Sequence, residues 1–123
     1  MPQLPAPTLV TKIRILREGI YAFGPGKAAL LEAIERSGSV VGAGRALGLS
    51  YSKTRRLVDE MNDSFLSPLV EAAKGGHAGG GATVTSAGRE VLALFRRMEQ
   101  HANAAVAKDF QTLQSLLNEP PTG

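Results

Sequence analysis

The sequence predicts a mainly α fold with a small β wing and a long C-terminal helix, and three observations carry that expectation. Ser39 to Phe65 reads as a helix, a tight glycine-containing turn and a second helix. Ser39 and Ser50 stand where N-caps belong, each able to accept a hydrogen bond from a free backbone N–H of the following turn. After Pro68, Leu69–Ala72 and Ala82–Val84 have strand character and flank Lys74–Gly81, in which five of eight residues are glycine. Apolar residues at spacings of three and four then run from Val91 to Leu117. A helix pair, a glycine-rich hairpin and an overlong helix, in that order, describe a winged helix-turn-helix followed by a dimerisation helix.

The elements follow in order. Residues 1–8 hold three of the seven prolines and are expected to form a disordered tail. Val10 to Ile15 alternates and predicts a short strand, and Gly19 to Gly26 is turn-rich, with Ile20, Tyr21 and Phe23 continuing a strand or packing beneath it. A helix over Pro25–Ser37 starts on proline and stops before Gly38, with Ala28, Leu30, Leu31 and Ile34 as its apolar face. The next helix buries Val40, Ala43, Ala46 and Leu47, and Gly48 can end it in a left-handed conformation. The third buries Thr54, Leu57, Val58, Met61 and Phe65. The winged domain is expected over residues 9–84, the long helix over 85–117 with Thr85 as its N-cap, and a second disordered tail over 118–123.

Composition bounds what this fold can do. At 123 residues the chain suits one domain with a modest core. With 43% hydrophobic and 20% charged residues it has a globular composition. The net charge of +3 leans toward an anionic partner, and its distribution leans further. No acid lies between Glu35 and Asp59, whereas Arg36, Arg45, Lys53, Arg55 and Arg56 fall inside that span. Cysteine is absent, which excludes disulfides, thiolate chemistry and Cys-ligated zinc. No apolar run approaches the ~20 residues of a membrane span, and the N-terminus lacks a secretion signal, so a cytoplasmic protein without membrane partners is expected.

A helix of roughly thirty residues, ending near Leu117, would reach about 45 Å, more than a small domain can cover. Either it folds back on its own domain or its stripe meets a second chain. Self-association is the expectation, through Val91, Leu94, Phe95, Met98, Ala102, Val106, Phe110 and Leu113.

The outward residues of the third helix are the candidate DNA contacts. Arginine can make paired hydrogen bonds to the O6 and N7 of guanine, and Lys53, Arg55 and Arg56 can each neutralise phosphate. The alternative for these three is a solvated face paired to Asp59 or Glu60. Ser50 and Ser52 can bond phosphate at the helix N-terminus, although Ser50 serves first as the cap. Tyr51 either reaches phosphate or packs on the preceding helix. In the wing, Lys74, Gly75, Gly76 and His77 offer charge and a closely approaching backbone. A nucleotide-binding P-loop would need Lys-Ser or Lys-Thr and then a helix after its last glycine, but Ala82-Thr83-Val84 follows Gly81. His77 and His101 lie in different elements without suitable carboxylates. No catalytic residue, metal site or cofactor is expected.

The segments at 37–39 (SGS), 48–52 (GLSYS), 59–62 (DEMN) and 69–92 (LVEAAKGGHAGGGATVTSAGREVL) resemble the N-terminal DNA-binding domain of the molybdate-responsive ModE family. More distantly, they resemble the winged helix-turn-helix of LysR-type regulators. The likeness covers roughly residues 20–117, and the glycine-rich wing followed by Thr-x-x-Gly is its most specific part. It implies a homodimer held by the long helices, with one recognition helix per subunit in successive major grooves of double-stranded DNA. Complete family members also carry C-terminal oxyanion-binding domains, and this helix ends near Leu117, so molybdate sensing is not carried over. The residues at 53, 55 and 56 need not match the family's own, which leaves the operator open.

The resulting expectation is a sequence-specific transcriptional regulator of ModE/LysR-like type without an oxyanion domain, binding an inverted repeat as a dimer. The alternative is a protein-interaction module that pairs through residues 86–117 with a full-length regulator and modulates it. An architectural binder with little sequence preference fits the low total charge poorly.

Overall fold

The computed structural model describes residues 6–73 and 81–118. The expected tails therefore fall largely outside the described residues (1–5 and 119–123), and Lys74, Gly75, Gly76 and His77 lie outside them entirely. The chain runs β1 (Ile15–Arg17), β2 (Ile20–Phe23), α1 (Pro25–Ser37), α2 (Val40–Leu47), α3 (Tyr51–Ser64), β3 (Val70–Ala72), β4 (Ala82–Val84) and α4 (Ser86–Gln114). This is the expected mainly α fold with a small β wing and a long C-terminal helix.

The β1–β2 hairpin pairs Leu16 with Tyr21 and Arg17 with Ile20, antiparallel. Its turn places Glu18 at φ 51° and Gly19 at φ 78°. Glycine adopts this left-handed geometry freely, whereas a glutamate there costs about 1–2 kcal/mol. Glu18→Asn is expected to raise stability by roughly 0.5–1 kcal/mol, read as a higher urea midpoint at unchanged slope. A lower midpoint would contradict that account. The strand expected over Val10–Ile15 is corrected, because only Ile15 belongs to β1. A strand needs a partner, and β2 offers no pairing beyond Phe23. The upstream segment instead runs beside α4, where Thr11 Oγ1 donates to Asn103 Oδ1 at 2.7 Å.

Caps set the boundaries of the next three helices. Pro25 opens α1, and Gly38 closes it at φ 75°, donating its N–H to the Ile34 carbonyl. Ser39 Oγ accepts from the Gly42 N–H at 2.9 Å to start α2, and Gly48 ends it at φ 71°. Ser50 Oγ accepts from the Lys53 N–H at 3.1 Å to start α3. The apolar face expected for α2 needs correction, since Ala46 and Leu47 are exposed while Ala43 and Gly44 are buried. A Cβ on Gly44 would lie 2.4 Å from Thr54 Oγ1, so the absent side chain lets α2 and α3 cross closely. Ala46 and Leu47 lie past that crossing, on the solvent side of α2.

The core gathers Phe23, Ala28, Leu30, Leu31, Ile34, Val58, Met61, Leu69 and Phe95 from nearly every element. Phe23 stands edge-on to Phe95 (centroids 5.1 Å apart) and to Phe65 (6.0 Å). Each such aromatic pair adds about 0.5–1.5 kcal/mol beyond area burial. The hairpin β3–β4 pairs Val70 with Val84 and Ala72 with Ala82. It docks on the α1–α2 junction where the Ala82 N–H donates to the Gly38 carbonyl at 2.8 Å.

Thr85 Oγ1 accepts from the Gly88 N–H at 3.0 Å and donates to the Pro68 carbonyl at 2.7 Å, which fixes the base of α4. A Cβ on Gly88 would meet the Leu69 carbonyl oxygen at 2.4 Å, which explains the glycine at that crossing. One helical stretch further on, Arg96 bridges Glu32 of α1 at 2.6 Å and Glu99 at 2.8 Å. These hydrogen bonds, that to Glu32 first, raise the guanidinium pKa above its usual value.

Two of the expected dimerisation residues lie against this chain's own core. Phe95 is buried at 1% exposure in this chain's own core, and Val91 packs against that core. Phe95 is thus enclosed within the domain, whereas Val91 is only partly buried. Leu94, Met98, Val106 and Leu113 remain exposed, with Ala102 and Phe110 half-buried.

Candidate nucleic-acid interface

The α3 helix separates its two faces sharply. Thr54, Val58 and Met61 are buried, and Thr54 Oγ1 also donates to the Ser50 carbonyl at 2.7 Å. Helical periodicity puts Ser52 and Arg56 on the opposite side, with Lys53 and Arg55 on its two flanks and Tyr51 nearer the buried side. All five are exposed, as is Ser50. Tyr51 is 63% exposed, so most of its side chain stands on solvent rather than against the preceding helix. Ser50 spends its oxygen on the cap, while Ser52 Oγ, 3.5 Å from Ser50 Oγ, keeps capacity for another partner.

Charge on this surface is partly internal. Arg55 lies 3.4 Å from Asp59, and Arg56 lies 4.0 Å from Glu60, both one turn further along α3. Exposed pairs of this kind contribute about 0.2–1 kcal/mol, so either arginine can leave for a phosphate. The solvated-face alternative and the binding role are therefore compatible in geometry.

The hairpin is held to α3 by one side chain. Asn62 Oδ1 accepts from the Leu69 N–H at 2.9 Å and the Val70 N–H at 3.1 Å, while its Nδ2 donates to the Val70 carbonyl at 3.0 Å. An amide is the side chain that offers acceptor and donor together to a passing strand. Between α3, the start of α2 and the hairpin lies a cleft lined by Val41, Tyr51, Arg55, Asn62 and Glu71, among others. The helix face and the root of the wing thus border one concave surface.

Sequence reasoning missed three participants. Asn62 had no signal of its own beyond lying in the DEMN segment, because its partners are seven and eight residues away in an irregular stretch. Lys27 had one, since it stands three and four residues before Leu30 and Leu31 on the apolar stripe of α1 and is fully buried. Glu60 was noted only as a partner of the arginines, but it also lies 3.4 Å from Lys27 Nζ.

Among the described residues, no cluster of His, Asp and Glu could hold a metal ion, and no helix is long and apolar enough to cross a membrane. The fold and surface define a mainly α domain with a small β wing, a long C-terminal helix and a basic helix-turn-helix face. The chain is 38% identical over 112 residues to the molybdenum-pterin-binding protein MopA of Rhodobacter capsulatus, covering 91% of this chain and 41% of that protein. It is 33% identical over 108 residues to the molybdenum transport protein ModE of Azotobacter vinelandii, covering 79% of this chain and 40% of that one. With the DNA-binding transcriptional dual regulator ModE of Escherichia coli K12 it shares 34% identity over 85 residues, 69% of this chain and 32% of the regulator. No family model matches the chain. The chain is a relative of the ModE and Mop proteins, and this relationship fits a ModE-family N-terminal domain. It spans about two-fifths of MopA and of the Azotobacter protein and about a third of the Escherichia one.

Proposed function

We propose that this chain is a sequence-specific DNA-binding unit of a ModE-type transcriptional regulator, which acts as a dimer on an inverted repeat. The observation that supports it best is the segregation on α3, where Ser52, Lys53, Arg55 and Arg56 stand on solvent beside a docked hairpin. An α-helix with that face fits the major groove, and its capped N-terminus favours a phosphate. In this reading Tyr51 contributes its hydroxyl from the cleft side, and Lys74 and His77 extend the contact along the wing. Two copies join through Leu94, Met98, Ala102, Val106, Phe110 and Leu113 of α4, which places two recognition helices in successive grooves.

Selection of random duplex DNA by the purified protein at near-physiological salt tests the reading. Recovery of an inverted repeat with half-sites about one helical turn apart supports it. A folded dimer that enriches no sequence would favour the interaction module, which native mass spectrometry with a full-length ModE would then examine. On the selected duplex, Arg55→Ala and Arg56→Ala should weaken binding while the melting temperature barely moves, because both side chains are more than half exposed. A base-reading arginine costs about 1–3 kcal/mol and relaxes preference at one position, whereas a phosphate contact weakens all sequences alike. Wild-type affinity in both variants would remove α3 from the interface.

A further inference from the structure

Lys27 is the one fully buried lysine among the described residues, and its surroundings connect it to the exposed face of α3. Its Nζ donates to the Tyr21 carbonyl and stands 4.7 Å above the Tyr21 ring centroid. It also lies 3.4 Å from Glu60 Oε1, while the other oxygen of the same carboxylate, Oε2, faces Arg56 Nη1 at 4.0 Å. Glu60 is therefore shared between a cation locked in the core and a cation on solvent. Asp59, by contrast, has Arg55 as its only ion pair among the described residues.

This asymmetry has a consequence for binding, given the DNA reading above. A carboxylate on the contact face repels phosphate and competes with it for arginine. Glu60 is only 32% exposed, so water screens it incompletely, and the nearest fixed charge that offsets it is the Lys27 ammonium. We propose that Lys27 is a positioning residue for DNA binding, whose buried ammonium neutralises Glu60 and so leaves Arg56 free to exchange that carboxylate for the DNA. Lys27 itself touches no DNA. Arg55 has no such relief and must break its pair with Asp59.

The test uses the full chain and a fluorescent duplex carrying the selected sequence, with affinity followed from low to moderate salt. Lys27→Gln removes the charge but keeps a hydrogen-bond donor for the Tyr21 carbonyl. Lys27→Met repeats the measurement with different packing, and a melting curve establishes that each variant is folded. Either variant should bind roughly tenfold more weakly, with a salt slope smaller by about one contact. Adding Glu60→Gln should restore both the affinity and the slope. In the Lys27→Gln background Arg56→Ala should cost almost nothing further, whereas Arg55→Ala should cost what it costs in the wild type. A general loosening of the fold would penalise both arginine variants alike and would not be repaired by Glu60→Gln. Folded Lys27 variants with wild-type affinity and slope, or a loss that Glu60→Gln fails to reverse, would overturn the proposal alone. A wild-type protein that binds no duplex would overturn the DNA reading and this inference with it.

Discussion

Phe95→Ala is expected to cost about 3–5 kcal/mol of stability, the usual penalty for truncating a buried aromatic side chain. The ring is 1% exposed and stands edge-on to Phe23 at 5.1 Å, so alanine loses both the burial and the aromatic contact. Little can collapse into the space, because α4 is anchored on both sides of it, by Thr85 on Pro68 and by Arg96 on Glu32. For a domain of this size each kcal/mol lowers Tm by about 4 °C or more, so a fall of at least about 12 °C follows. The decisive feature is concentration dependence. If Phe95 serves the monomer's core, the loss persists at every protein concentration. A loss that vanishes at high concentration would return Phe95 to the interface between chains.

The second large effect concerns the distal half of α4. Val106→Glu combined with Leu113→Glu should halve the hydrodynamic mass at micromolar concentration, while the circular dichroism of the domain changes little. Both positions are exposed, at 37% and 54%, and lie seven residues apart on one side of the helix. Placing two carboxylates there leaves the monomer unstrained but sets like charges against each other in the symmetric interface proposed above. DNA binding should fall roughly 10²–10⁴-fold, because two half-sites are no longer held by one particle and the effective concentration of the second contact is lost. Sedimentation velocity and the same duplex titration measure both. A variant that stays dimeric would move the interface elsewhere, and a monomer with unchanged affinity would separate dimerisation from binding.

The legible parts of the fold were those written in local chemistry. The bounds of α1, α2 and α3 follow from Pro25, Ser39, Ser50 and the left-handed Gly38 and Gly48, none of which needs tertiary information. The solvent-facing set of Ser52, Lys53, Arg55 and Arg56 is readable for the same reason, since a 3.6-residue period fixes which side chains share a face with Thr54 and Val58. Positions decided by a distant partner were not. Apolarity alone places Leu47 in the core, but α2 meets α3 closely at Gly44 and Thr54 and leaves Leu47 exposed. Phe95 belongs to a helical stripe whose upper part is covered by Phe23, and periodicity alone cannot say what covers a stripe. Asn62 and Lys27 act through contacts with Val70 and Glu60 that no spacing rule encodes.

One consequence of the two-faced α3 concerns how such a protein can change. Within its first two turns, Thr54 is the only residue both fully buried and bonded to the backbone, while positions 52, 53, 55 and 56 are solvent-facing. Substitutions at exposed sites of this kind usually shift stability by less than about 0.5 kcal/mol. Mutations that rewrite the contacts are therefore nearly invisible to folding, and mutations that threaten folding seldom alter the contacts. If α3 reads DNA as proposed above, a lineage carrying this domain can drift from one target sequence to another without passing through unstable intermediates, and its binding preference is free to evolve faster than its architecture.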